Sequence, residues 1–225
     1  MKKLSLLFCA AVALSAAPSL AAFDLRLTEM WMGNEPGSNL TADWVEISNV
    51  GDMAWTALTD GDLWFDDDSF DAAAADLMSG VPSIAPGESA VFVNSDGVDG
   101  AVAEFLAAWG SAVSGVQIGI HDGSGLGQGG DGVGIFLSFG PPTGADQIDG
   151  QLYPDANANG GQSWDVNQMA FSTVGVGGAF QSVLANDANQ FGIGSPGTTG
   201  AAVPEPASVA LATLAGLALL GLRRR

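Results

Sequence analysis

Basic residues are what this chain most lacks: 6 lysines and arginines stand against 25 aspartates and glutamates in 225 residues, a formal net charge of −19. Five of the six sit at the ends, as Lys2, Lys3, Arg223, Arg224 and Arg225, so Arg26 is the one base of the body and the body's net charge is near −24. Such a surface repels phosphate backbones and disfavours nucleic-acid partners, while favouring solubility, divalent cations and cationic partners. Cysteine is limited to Cys9, inside an N-terminal apolar run. A mature body without it has neither disulfide nor thiolate metal site, so its stability comes from core packing. His121 is the one histidine. Any Ser-His-Asp relay must use it, yet no Gly-x-Ser-x-Gly elbow exists, and Gly194-Ser195-Pro196-Gly197 lacks the first glycine. Beside Asp122 in a glycine-rich run, His121 reads as an exposed turn residue. With 25 acids, close carboxylate pairs arise by chance, and the separation that glycosidase chemistry requires is not written in a sequence.

Each end of the chain carries an uncharged apolar run. Lys2 and Lys3 precede Leu4 to Leu14, and Ser19-Leu20-Ala21-Ala22 supplies small residues for cleavage after Ala21 or, second, after Ala22. These are the three regions of a signal peptide, residues 1–21. Phe8 stands before Cys9 where a lipidation site needs a small residue, which argues against a lipoprotein. At the other end, Pro204 and Pro206 bracket Glu205 and hold the backbone extended, so a helix begins only after them. Ala207 to Leu222 carries no charge. Its roughly 16 residues make a helix of about 24 Å, short against a hydrocarbon core of about 30 Å. The three terminal arginines supply a positive-inside signal, so the run is expected to be a transmembrane helix with a cytoplasmic C-terminus.

In order and spacing, Pro204-Glu205-Pro206, the apolar helix and Arg223, Arg224 and Arg225 resemble the PEP-CTERM sorting signal of Gram-negative bacteria, here residues 203–225. The resemblance implies an exosortase-type sorting enzyme as partner, transient residence in the inner membrane, a cell-surface or extracellular-matrix destination and an association with exopolysaccharide export. It implies a route and no activity.

Between the ends, about 180 residues with ample Val, Ile, Leu, Phe and Trp are enough for one core and one domain, residues 22–200. Period-two stretches recur between Gly, Asn, Asp and Pro clusters: Leu25 to Met32, Asp43 to Asn49, Asp62 to Phe65, Ser89 to Asn94, Val116-Ile118-Ile120, Val133 to Phe139 and Gln147 to Tyr153. In the second, Val45 and Ile47 share one face and Trp44, Glu46 and Ser48 the other, which reads as a strand with one buried face. Val102, Phe105, Leu106 and Trp109 fall at helical spacing after Asp99, an expected N-cap. The expected fold class is all-β, a sandwich interrupted by one short helix.

Taken in order, these strands carry a second resemblance. Asp43-Trp44-Val45-Glu46-Ile47-Ser48-Asn49-Val50-Gly51-Asp52, Ile84 to Val93 with its Pro86-Gly87-Glu88, Gly125 to Val133, Asp146 to Asp149 and Ser195-Pro196-Gly197 are similar to successive motifs of lamin-tail domains. The resemblance implies an immunoglobulin-like β-sandwich of the kind that serves adhesion or positioning. The acidic stretch Asp60 to Ser79 and the helix near Trp109 depart from the family pattern.

The sharpest chemical motif is Asp155-Ala156-Asn157-Ala158-Asn159-Gly160, which matches the first half of a calcium loop. The second half departs from the pattern, because Val166 stands where a glutamate ligand is needed, although Asp165 adjoins it. Asp155, Asn157 and Asn159 are therefore either calcium ligands or an asparagine-rich turn. Asp66, Asp67, Asp68 and Asp71 read as a solvated loop that could also take calcium. The expected function is a non-enzymatic exported surface or matrix protein with no catalytic residues and no obligate cofactor. The alternative is a small secreted hydrolase using acidic loop residues.

Overall fold

The computed structural model describes residues 22–33, 40–95 and 100–198. Ala21 with the expected signal peptide, the Pro204-Glu205-Pro206 motif, the apolar run 207–222 and Arg223, Arg224 and Arg225 lie outside the described residues. Among the described residues no helix is long and apolar enough to cross a membrane.

The chain forms β1 (Leu25–Trp31), β2 (Trp44–Asn49), β3 (Trp55–Thr56), the single turn α1 (Ala57–Asp60), β4 (Asp62–Asp66), β5 (Asp76–Leu77), β6 (Ser83–Ile84) and β7 (Ser89–Asn94). Then come α2 (Ala101–Trp109), β8 (Gln117–His121), β9 (Asp131–Ser138), β10 (Gln147–Tyr153), β11 (Trp164–Asp165), β12 (Ala170–Phe171), β13 (Phe180–Ala185) and β14 (Phe191–Gly194). Among the described residues the fold is all-β with one α-helix of more than a turn. A six-stranded sheet has the order β12-β11-β1-β2-β7-β8 and a four-stranded sheet the order β10-β9-β4-β5. Two further pairs, β3–β6 and β13–β14, stand apart from them. Pairing is antiparallel except between β7 and β8, which run parallel because α2 carries the chain over between them.

Strand alternation builds the main core. Leu25, Leu27, Met30, Val45, Ile47 and Phe92 of the larger sheet meet Leu63, Phe65, Val133 and Ile135 of the smaller one in a single buried cluster. Phe136, on the alternate face of β9, is also buried, beside Phe70, whose ring lies where a Cβ on Gly134 would come within 2.8 Å of it. Phe139 lies just past the end of β9 and is 71% exposed.

The single buried face expected for β2 is corrected: all six of its residues are buried, as are all six of β7. The reason is a second apolar layer, in which α2 and the β13–β14 hairpin cover the other face of the large sheet. Trp31, Trp44, Val91 and Val93 there pack on Phe105, Ala108 and Trp109. Trp31 and Trp44 stack with planes 2° apart, and Trp109 meets both edge-on, at centroid distances of 5.5 and 5.9 Å. Offset and edge-on geometry matches the positive ring rim to the negative face, worth about 0.5–1.5 kcal/mol per pair beyond burial. Gly192 and Gly194 let β14 approach this cluster, since a Cβ would lie 2.8 Å from Trp31 at Gly192 and 3.1 Å from Trp109 at Gly194. The helix boundary also differs from expectation. Gly100, in the left-handed region at φ 115°, occupies the N-cap of α2, and Asp99 lies outside the described residues.

Candidate functional site

A break in the alternation of β1 creates the most unusual site. Leu27 and Met30, three residues apart, both enter the main core, and a register shift between Leu27 and Glu29 accommodates the extra residue. Such a bulge re-aims side chains. Thr28 and Glu29 thereby serve the opposite face, where Glu29 pairs directly across from Glu46 of β2. Both carboxyl groups are buried, at 1% and 0% exposure.

The closing segment Ser195-Pro196-Gly197 satisfies these acids. Glu29 Oε1 accepts the Ser195 amide at 2.8 Å and the Ser163 hydroxyl, while Glu29 Oε2 accepts the Ser195 hydroxyl at 3.0 Å. Glu46 Oε1 accepts the Thr28 hydroxyl at 2.7 Å, and Glu46 Oε2 accepts the Gly197 amide. Thr28, Ser48 and Ser89 continue a chain of hydroxyls away from Glu46, with oxygen separations of 2.9 and 2.7 Å. Gly197 has φ 86°, and a Cβ there would lie 2.3 Å from Val116, so glycine alone fits the position. Burial pushes the Glu29 carboxyl up to about 7, against the pull of its hydrogen bonds from Ser163 and Ser195. Burial, followed by the charge of Glu29, raises Glu46 well above the usual carboxylate range. No base relieves the pair: Arg26 is the one lysine or arginine among the described residues, and it is bound to Asp24 at 2.7 Å.

At the opposite end of the large sheet, Thr41, Asp43, Asn94, Ser95, Glu104 and the Gly123–Gly125 backbone line an open cleft of about 520 Å³. Asp43 Oδ2 accepts the Leu126 amide at 2.7 Å, and the Asn94 amide group donates to Gly123 O at 3.1 Å, which fixes the glycine-rich loop against β2 and β7. The Ser95 hydroxyl bonds to Asp122. The cleft has an acidic and hydroxyl-rich wall suited to polar ligands.

His121 is not the exposed turn residue that the sequence suggested. It ends β8 with 1% exposure, and its ring stacks on Phe65 at a centroid distance of 4.0 Å. Neither ring nitrogen has a hydrogen-bond partner among the described residues. Burial lowers its pKa to about 4. Among the described residues no serine hydroxyl is hydrogen-bonded to either ring nitrogen.

The candidate calcium residues fold as a turn. Asp155 Oδ1 accepts both the backbone and the side-chain amide of Asn157 at 2.8 Å, and Asn157–Asn159 forms a 3-10 turn. Those bonds hold the Asp155 carboxyl below its ordinary value. Asp165 belongs to β11 and is buried, with Oδ1 accepting the Gln168 amide at 3.0 Å. In the acidic loop, Asp66 Oδ2 accepts the Asp71 amide at 2.6 Å and the Ser69 hydroxyl at 2.7 Å, and Asp71 in turn caps Ala73 at 2.9 Å. Among the described residues no three His, Cys, Asp or Glu side chains are grouped to hold a metal ion. Because Asp155 Oδ1 is already engaged by both amides of Asn157, millimolar calcium is expected to leave the melting temperature unchanged, and Asp155→Ala to cost about 1 kcal/mol by loss of the turn. Thermal melts with and without calcium check this, and a calcium-dependent rise that disappears in Asp155→Ala would establish a site.

Sequence reasoning passed over Glu29 and took Glu46 for an outward residue. The available signal was the double step in Leu27-Thr28-Glu29-Met30, which breaks period two just where a carboxyl group is to be turned. Comparison of the chain with family models, with curated proteins and with solved structures finds no match.

Proposed function

We propose that this chain is a non-enzymatic exported protein of the cell surface or extracellular matrix, with an immunoglobulin-like, lamin-tail-like β-sandwich as a binding or structural module and a PEP-CTERM tail as its sorting signal. The observation that carries the module reading is that all five motif fragments take part in hydrogen bonds between distant parts of the chain. Asp43 accepts the Leu126 amide at 2.7 Å, Glu46 accepts the Gly197 amide, Asn49 O accepts the Gly87 amide at 2.8 Å, and Asp149 accepts the Leu27 amide of β1 at 2.9 Å. Motifs spread over more than 150 residues thus serve a single architecture, as motifs of one domain do.

The placement of the chain ends supports an anchored module. Ala22 is hydrogen-bonded to Asp52 beyond the end of β2, and Gly197 sits on Val116 ahead of β8. Both exits therefore lie toward the Asn49 end of the large sheet, whereas Asp43 and Asn94 of the cleft lie at the other end. A membrane-held tail would leave the cleft pointing outward, toward a surface polymer or a neighbouring protein.

The test is the fate of the tail. The acidic body is expected outside the inner membrane, with Arg223, Arg224 and Arg225 inside until a sorting enzyme cuts near Pro204-Glu205-Pro206. Replacing Pro204, Glu205 and Pro206 with alanine extends helical propensity into the extended segment and removes its charge. That variant should accumulate uncut in the inner membrane, as read by fractionation and mass spectrometry of the C-terminus. Surface delivery of a shortened variant would refute the sorting reading, and a wild-type surface form retaining Arg225 would make the tail a permanent anchor.

A further inference from the structure

We propose that Glu29, Glu46 and the Ser195–Gly197 segment form a pH-sensitive latch, which holds the end of the folded body while the carboxyl pair retains protons and releases it once both are lost. Four observations place it there. The two acids face each other on adjacent strands, at 1% and 0% exposure. Their bonds from one to the other side of the latch reach across 151 and 166 residues of sequence, so they join the chain's last described segment to its first two strands. Every donor they receive is a neutral hydroxyl or backbone amide, from Thr28, Ser163, Ser195 and Gly197. The other charged group facing them is Asp165 of β11, which is also acidic and adds to the repulsion.

The surrounding elements offer no compensation. β13 and β14 contain no titratable side chain, Gln117 of β8 is neutral, Glu104 of α2 lines the distant cleft, and Arg26 is engaged by Asp24. A buried pair of ionised carboxylates with no cation is unfavourable, whereas the opened segment would let both acids hydrate. Ser195–Thr198 follows β14 and lies over the pair, so its release exposes the acids without separating the two sheets.

In the opened form the acids titrate at the ordinary carboxylate value near 4.5, and in the closed form Glu29 titrates at about 7. Closure is therefore fully favoured below 4.5 and weakens as pH rises through 7, and the upward shift of Glu46 acts in the same direction. Where the proposed sorting tail follows Thr198, opening frees Ser195–Thr198 on the side of the sorting motif; that consequence rests on the sorting reading, while the latch does not.

Hydrogen exchange on the full chain tests the latch without reference to sorting. After correction for intrinsic rates, protection of the Ser195, Gly197 and Thr198 amides should fall about tenfold or more per pH unit between pH 5 and 7. Glu46→Gln and Glu29→Gln, which keep a carbonyl acceptor but cannot ionise, should each reduce that slope, and the double variant should abolish it. Amides of Val91 to Val93, in the centre of the large sheet, should keep their protection throughout. A flat wild-type profile, or a slope unchanged in either single variant, overturns the proposal. Loss of Val91 to Val93 protection in step with Gly197 also overturns it, since opening would then be global.

Discussion

Trp109→Ala should lower the unfolding free energy by about 3–5 kcal/mol, a large part of the 5–15 kcal/mol that holds a typical domain. Trp109 is fully buried and bridges the large sheet, its own helix and the β13–β14 hairpin. It meets Trp31 and Trp44 of the large sheet edge-on, tilts on Phe105 within its own helix, and meets Phe180 of the hairpin at 5.6 Å. Removing it leaves a void that the stacked Trp31 and Trp44 cannot fill, because β1 and β2 are fixed by their pairing with each other. Gly192 and Gly194 would lose the ring that brings β14 onto the sheet. Urea denaturation followed by near-ultraviolet circular dichroism measures the effect, with Leu58→Ala, at a residue 87% exposed, as the neutral control. A loss below about 1 kcal/mol would mean that the aromatic layer is not part of the cooperative core.

His121 should make the folded body acid-sensitive, with a cost of about 3 kcal/mol between pH 6.5 and 4. The unfolded imidazole takes a proton near 6.5, but in the fold burial holds its pKa at about 4. The unfolded state therefore binds the extra proton first as pH falls, so the stability present above pH 6.5 is progressively lost toward pH 4. Among the described residues no hydrogen-bond partner offsets the cost of charging the ring, which stacks on Phe65. His121→Phe, which keeps a ring against Phe65, should remove this acid limb. Chemical denaturation at pH 7 and pH 4.5 compares the two proteins, and an equal pH dependence in both would refute the assignment. The carboxyl pair of the latch acts in the opposite direction over an overlapping pH range, so the His121 contribution is read from the difference between wild type and His121→Phe at each pH.

The strand segments were legible because their alternation is local. Leu25, Leu27, Val45, Ile47, Val133 and Ile135 carry the core face of each strand in the order of the chain, and the structure gathers them into one cluster. The helix was legible from Phe105 and Trp109, which face the second layer. The β13–β14 hairpin was not, because Phe191-Gly192-Ile193-Gly194 is short and half glycine, and those glycines make sense only against Trp31 and Trp109. Glu46 looked outward because an alternating acidic residue usually meets water. It is buried because a segment about 150 residues away covers it, and no local pattern announces such a cover.

By itself the sequence determined the charge of the body, its freedom from cysteine, the period-two strands and the order of the motifs, since each of these depends on residue type or near-neighbour spacing. The tertiary structure alone decided that β2 is buried on both faces, that His121 is sealed against Phe65 and that Glu29 and Glu46 meet beneath Ser195 and Gly197. A side chain's local pattern sets which way it points. What lies in that direction, and hence its solvation and charge state, is set by segments far along the chain.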